Sequence, residues 1–147
     1  MRRLKLASRI PRIIFDTSTL VSAALRRESA PYQALLKALR TGEICASAET
    51  LQELTRVLER DKFDRYLDLE SRRSFITLMR RAVHVFAVRE EDIAAVDPPC
   101  RDPRDNQFLA LALVSEAEVL VSSDEDLLVL HPWRGMPIVT PVEFLDY

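Results

Sequence analysis

The chain reads as an α/β domain built on a parallel sheet that helices cover on both faces. Two observations predict this. Short apolar runs without polar alternation, such as Ile13–Phe15 and Val119–Val121, mark strands buried on both sides. Those runs alternate along the chain with segments of helical apolar spacing, the pattern of strand–helix–strand units. A length of 147 residues is that of one domain with a sizeable core.

Each element has its own local reason. Residues 1–11 are expected to form a short basic tail ahead of a folded domain over 12–147. Arg12–Phe15 is a strand that ends at Asp16, and Leu20, Ala23 and Ala24 give helical spacing to Thr17–Arg27. Pro31 opens a second helix carrying Ala34, Leu35, Ala38 and Leu39, which Thr41–Gly42 close. Glu43–Ala46 is a second strand. Ser47 is a good N-cap for a helix to about Arg60, with Leu51, Leu54, Val57 and Leu58 on one face. After a mixed connector, Glu70–Arg81 is an amphipathic helix with Phe75, Leu78 and Met79 inward. Its pairs Arg72–Arg73 and Arg80–Arg81 repeat at eight residues, giving a basic face that is either solvated or phosphate-tracking. Val83–Val88 is a third strand and Arg89–Arg104 a charged, proline-bearing loop. Asp105–Glu116 is apolar nearly all round and marks a central buried helix. Val119–Val121 is a strand, Asp124–Val129 a turn or two of helix, and Pro137–Val139 a last strand before a terminal helix.

Composition removes several functions. With 21 basic and 23 acidic residues the net charge is −2, so the chain does not coat nucleic acid with its whole surface, although a local basic patch remains open. Eighteen of the basic residues are arginine, suited to bidentate phosphate contact, a bias that a GC-rich genome also produces. Only two glycines occur, Gly42 and Gly135, which excludes a Gly-rich phosphate loop. Cys45 and Cys100 lack zinc-ligand spacing, and Cys45, in an apolar run, is expected to be a buried thiol in a reducing cytoplasm. Pro11, Arg12 and Asp16 interrupt the amino-terminal apolar residues before a signal peptide can form, and no run is long enough to span a bilayer. A soluble cytoplasmic protein without membrane contact is the expectation. His84 and His131 have no partner at ligand spacing, Ser18, Ser22, Ser122 and Ser123 lack a nucleophile-elbow context, and Trp133 reads as a cover over the core.

The acids carry the chemical signal. In an open α/β sheet, sites form outside the carboxyl ends of strands, and Asp16 and Asp124 follow two strands there. Asp105 opens the buried helix. Glu53 lies roughly 200° around its helix from Leu51, at the border of the apolar face. Each has a structural reading: Asp16 as a helix cap, Asp105 as an acid welcomed by a helix dipole after an Asp102 cap, Asp124 in a turn capped by Ser123, and Glu53 as surface. Together they place several carboxylates toward one sheet edge. Such a group needs a cation, and oxygen donors without a His or Cys cluster point to Mg²⁺ or Mn²⁺.

Four segments in order, IIFDTSTLVSAAL, LQELTRVLERDKF, CRDPRDNQFLALAL and VLVSSDEDLL followed by IVTPVEFL, resemble the PIN-domain family over residues 12–146. They are most similar to its toxin–antitoxin subgroup, the VapC toxins. The resemblance implies a parallel sheet of four or five strands and a metal-binding set at Asp16, Glu53, Asp105 and Asp124. It further implies Mg²⁺- or Mn²⁺-dependent endonucleolytic hydrolysis of RNA, a small antitoxin that occludes the site, and a homodimer. Ser18 stands where this subgroup usually has Asn. Asp102 and Asp126 are further acids whose roles the sequence does not rank. The competing class is a catalytically silent nucleic-acid or partner-binding module on the same fold, which a complete acid set disfavours. A phosphatase would need a second acid two residues after Asp16, and a receiver domain a late lysine; neither is present.

Overall fold

A computed structural model describes residues 10–147. Residues 1–9 of the expected tail lie outside the described residues. Pro11 already continues the sheet ladder, because its carbonyl accepts the Glu43 N–H at 2.8 Å.

Five parallel strands form one sheet in the order β3-β2-β1-β4-β5, with β1 Arg12–Phe15, β2 Glu43–Ala46, β3 His84–Val85, β4 Val119–Val121 and β5 Ile138–Val139. The central strand β1 pairs with β2 through Ile13 opposite Ile44, and with β4 through Phe15 opposite Val121. Alternate residues of β1 enter different cores, as the strand period of two demands. Ile13 and Phe15 join Ile44, Val119 and Val121 beneath one helical layer. Ile14 joins Cys45, Leu120 and Ile138 beneath the other.

The first layer holds α1 Thr17–Leu25, α2 Ala30–Thr41, α3 Ala48–Leu58, α4 Leu69–Ala82 and α8 Pro141–Leu145. The second holds α5 Glu90–Ala94, α6 Asn106–Ser115 and α7 Glu125–Leu128. Caps start these helices as local chemistry requires: Ser47 Oγ accepts the Thr50 N–H, while Thr50 Oγ1 accepts the Ser47 N–H. Helix α6 buries Phe108 through Ala112, in keeping with its all-round apolar composition.

The structure amends the sequence reading at several places. The third strand is two residues at the sheet edge, where only β2 is available to pair. The loop after it contains α5 and a 3₁₀ turn, Pro103–Asp105. Leu78 points outward at 63% exposure, whereas Met79 is in the core. The turn opening α7 is capped by Asp124, not Ser123. The largest correction concerns Arg72, assigned above to a basic face: it is wholly buried. Its Nε donates to the Leu67 carbonyl at 2.8 Å, and its Nη1 to those of Leu58 and Arg60 at 2.5 and 3.1 Å. Its Nη2 pairs with Asp64. A guanidinium offers five N–H donors, enough to satisfy the orphan carbonyls after α3 and still hold the connector to α4.

Gly42 explains itself by space and not by dihedral angle. A Cβ there would lie 2.5 Å from the Pro11 carbonyl oxygen and 2.7 Å from Ile13 Cδ1.

Arg72→Ala is expected to cost about 3 kcal/mol, because the buried Leu58 carbonyl and the partly buried Arg60 and Leu67 carbonyls lose their donor. Its neighbour change Arg73→Ala, at an exposed pair with Glu59, should stay within about 0.5 kcal/mol. Urea unfolding of the two variants checks the contrast. Gly42→Ala is expected to cost about 1–3 kcal/mol by forcing β1 and β2 apart, read by the same method.

Candidate functional site

The sheet order reverses direction between β1 and β4: the chain moves outward from β1 through β2 to β3, then restarts at β4 on the other side. The carboxyl ends of such a strand pair diverge into a crevice. Asp16 and Ser122 are the residues immediately beyond Phe15 and Val121 there, and the Asp16 N–H continues the ladder to the Val121 carbonyl at 3.2 Å.

Asp16 is 3% exposed. Its Oδ1 caps α1 by accepting the Thr19 N–H at 3.0 Å, so the structural reading of this acid is also correct. Its Oδ2 accepts from Ser122 Oγ at 2.6 Å and, more weakly, from Ser18 Oγ at 3.5 Å. Burial pushes its pKa up; the bonds from Ser122 and Thr19 oppose that, and the charge of Asp124 adds to it.

Asp124 is half-buried after β4. Its N–H donates to the same Ser122 Oγ at 2.9 Å, and its Oδ1 accepts the Asp126 N–H at 2.9 Å. Ser122 thus joins the two strand-end acids through one hydroxyl.

Asp105 closes the 3₁₀ turn ahead of α6. Its Oδ2 is buried and receives no hydrogen bond. Its pKa is pushed up to about 7, first by burial, then by a hydrogen bond with Asp124 and by the charges of Asp124, Asp102 and Asp16. Two carboxylates in this relation make it costly for both to carry charge when no cation separates them.

Glu53 reaches the crevice from α3. Its Oε1 accepts from Thr17 Oγ1 at 2.5 Å and from Gln107 Nε2 at 3.1 Å. Thr17 follows Asp16 and Gln107 lies two residues after Asp105, so the glutamate is tied to the elements that carry the other acids.

The structure therefore brings Asp16, Asp105 and Asp124 within one another's fields and fastens Glu53 beside them. Among the described residues, no three His, Cys, Asp or Glu side chains already lie together as a closed ion site. The donor set nonetheless suits a hard divalent cation: it is all oxygen, one buried oxygen lacks any donor, and the charges of Asp124, Asp102 and Asp16 all bear on Asp105. Sequence reasoning missed Thr17 and Gln107, and weighed Ser122 only as a nucleophile, not as the partner of Asp16. Their signal was position, each being within two residues of an acid already singled out.

Other candidates resolve as structure. The His131 Nδ1 accepts the Ile138 N–H at 2.9 Å, and His84 is exposed on β3. Trp133 is buried, with its Nε1 donating to the Pro98 carbonyl at 2.7 Å. Cys45 and Cys100 are buried free thiols. Among the described residues no helix is long and apolar enough to cross a membrane.

Comparison with known proteins agrees with this architecture. No curated protein matches the sequence. Three solved structures share the fold at low identity. VapBC2 from Rickettsia felis, bound to a DNA fragment from its promoter, has 12% identity and a TM-score of 0.62, covering 88% of this chain and 98% of that one. PAE2754 from Pyrobaculum aerophilum has 17% identity and a TM-score of 0.63, covering 95% of this chain and 100% of that one. VapC20 from Mycobacterium tuberculosis, a toxin that cleaves the sarcin–ricin loop, has 14% identity and a TM-score of 0.56, covering 81% of this chain and 95% of that one. The PIN domain family model matches residues 12–126, from β1 into the first turn of α7 and including every acid of the crevice, and the chain belongs to that family.

Proposed function

We propose that the chain is a Mg²⁺- or Mn²⁺-dependent endoribonuclease and the toxin of a toxin–antitoxin pair. The observation that carries this is the convergence of Asp16, Asp105 and Asp124 at the β1/β4 crevice with one buried carboxylate oxygen left without a donor. The family, and the VapC toxins among the fold neighbours, support the same reading.

Asp16, Asp105 and Asp124 would hold the ion. A divalent cation bound there supplies positive charge for the phosphodiester transition state and makes water a better nucleophile at neutral pH. Ser122 fixes Asp16 and Asp124 in one orientation, and burial keeps Asp16 from swinging into solvent. Glu53, its Oε1 held by Thr17 and Gln107, keeps Oε2 as the acceptor that orients a water. No histidine base is required in this arrangement. The crevice is also the surface an antitoxin would cover, and a homodimer in the cytoplasm is part of the proposal.

Cleavage of a labelled structured RNA pool tests the activity. Cutting with Mn²⁺ or Mg²⁺, none in EDTA, and a loss of at least about 100-fold in Asp16→Asn or Asp124→Asn are expected. No cutting by folded wild-type protein in either metal would replace the enzyme with a binding module.

A thermal prediction follows from Asp105. Its carboxyl binds a proton in the folded chain up to about pH 7, but in the unfolded chain only up to the ordinary carboxylate range. The folded state then holds more protons between those values, so the stability of the metal-free protein falls as pH rises from about 4 to 7. Melting in EDTA at pH 5 and pH 8 should show the lower midpoint at pH 8. Asp105→Asn should raise that midpoint by about 2–4 °C and flatten the difference.

A further inference from the structure

Asp102 and Asp126 stand beside the four acids, and each holds an arginine. Arg104 Nε and Nη2 donate to the two oxygens of Asp102 at 3.1 and 2.9 Å, and the Arg104 backbone N–H donates to the same carboxylate at 3.0 Å. Arg101 Nη2 meets Asp126 Oδ1 at 2.9 Å. The arginine side chains are 83% and 68% exposed. Ion pairs at such exposure contribute little to folding, so stability does not account for two paired arginines on one four-residue stretch.

Their placement suggests another use. Arg104 directly precedes Asp105, and its guanidinium lies in the fields of Asp105 and Glu53. The Asp126 that holds Arg101 also donates its backbone N–H to Asp124. One cation is thus tied to the Glu53–Asp105 part of the crevice and the other to the Asp124 part. A guanidinium carries five N–H donors, and the pairings above occupy only some of them, leaving donors for a second anion.

A nucleic-acid strand entering the crevice needs such help. It is a polyanion approaching four carboxylates, on a chain whose net charge of −2 offers no general attraction. We propose that Arg101 and Arg104 are positioning residues that grip the phosphate backbone of single-stranded RNA across the acid crevice, with Asp126 and Asp102 holding their guanidinium groups in place. This rests on the nuclease reading above and assigns the two acids that the sequence leaves unranked.

The test measures binding and turnover separately. Fluorescence anisotropy of a labelled single-stranded RNA is followed against salt in Mn²⁺, with Asp16→Asn in every protein so that nothing is cut. Adding Arg101→Gln and Arg104→Gln should weaken binding about 10- to 100-fold and reduce the slope of log affinity against log salt by about 1.4, roughly 0.7 per lost phosphate contact. Arg104→Lys should keep the slope while weakening binding, because charge remains but the two-pronged anchor does not. In the otherwise wild-type protein, the double change should raise KM about 10-fold or more with kcat changed far less, and should leave the melting midpoint and its rise with Mn²⁺ as they were. An unchanged slope and KM in a protein that cuts RNA would overturn the arginine grip alone. A lost Mn²⁺ response would also overturn it, by making the arginines supports of the acids. Absence of both RNA binding and cutting in the parent proteins would overturn it together with the nuclease reading.

Discussion

The pairing of β1 with β4 is the constraint on which the rest of the molecule depends. It places Phe15 opposite Val121, and so sets Asp16 and Ser122 side by side one residue past the sheet. The Asp16 N–H closes the last rung of that ladder, and its side chain, with nowhere to reach water, takes the Ser122 hydroxyl and the first turn of α1 instead. Ser122 then orients Asp124. Shifting this register by one residue would exchange the two cores and turn the acids away from one another.

Charge is handled in opposite ways at the two buried ionic places. Arg72 is a buried cation with an acceptor at each of its three nitrogens, so it holds the α3–α4 connector. The crevice acids are left short: Asp105 Oδ2 has no donor, and burial together with the neighbouring carboxylates pushes the Asp105 pKa up. A satisfied network rigidifies a fold, and an unsatisfied one marks a place where a ligand completes the chemistry. That difference separates the buried arginine from the crevice acids, although both are ionisable and both are withdrawn from solvent.

Much of this was legible residue by residue. The apolar runs at Ile13–Phe15 and Val119–Val121 announced strands buried on both faces, and Ser47 announced its helix through a capping hydroxyl. The four acids were visible because two end strands, one opens an apolar helix and one borders an apolar face. Other features were hidden for physical reasons. Arginine at helical spacing reads as surface, and only the orphan carbonyls of Leu58 and Arg60, distant in sequence, bury Arg72. The third strand is short because edge pairing with β2 ends after two residues, which no local propensity reveals. Thr17, Gln107 and Ser122 are ordinary polar residues until the fold aims them at carboxylates.

By itself the sequence determined the layered α/β class, the strands and helices that build it, and which acids stand at strand and helix ends, since these follow from periodicity, capping and residue order. Only the tertiary structure decided which of those acids meet, and that Asp126 holds Arg101. Those are contacts between segments up to about a hundred residues apart in the chain, and they exist only after the packed sheet has brought its carboxyl edge together.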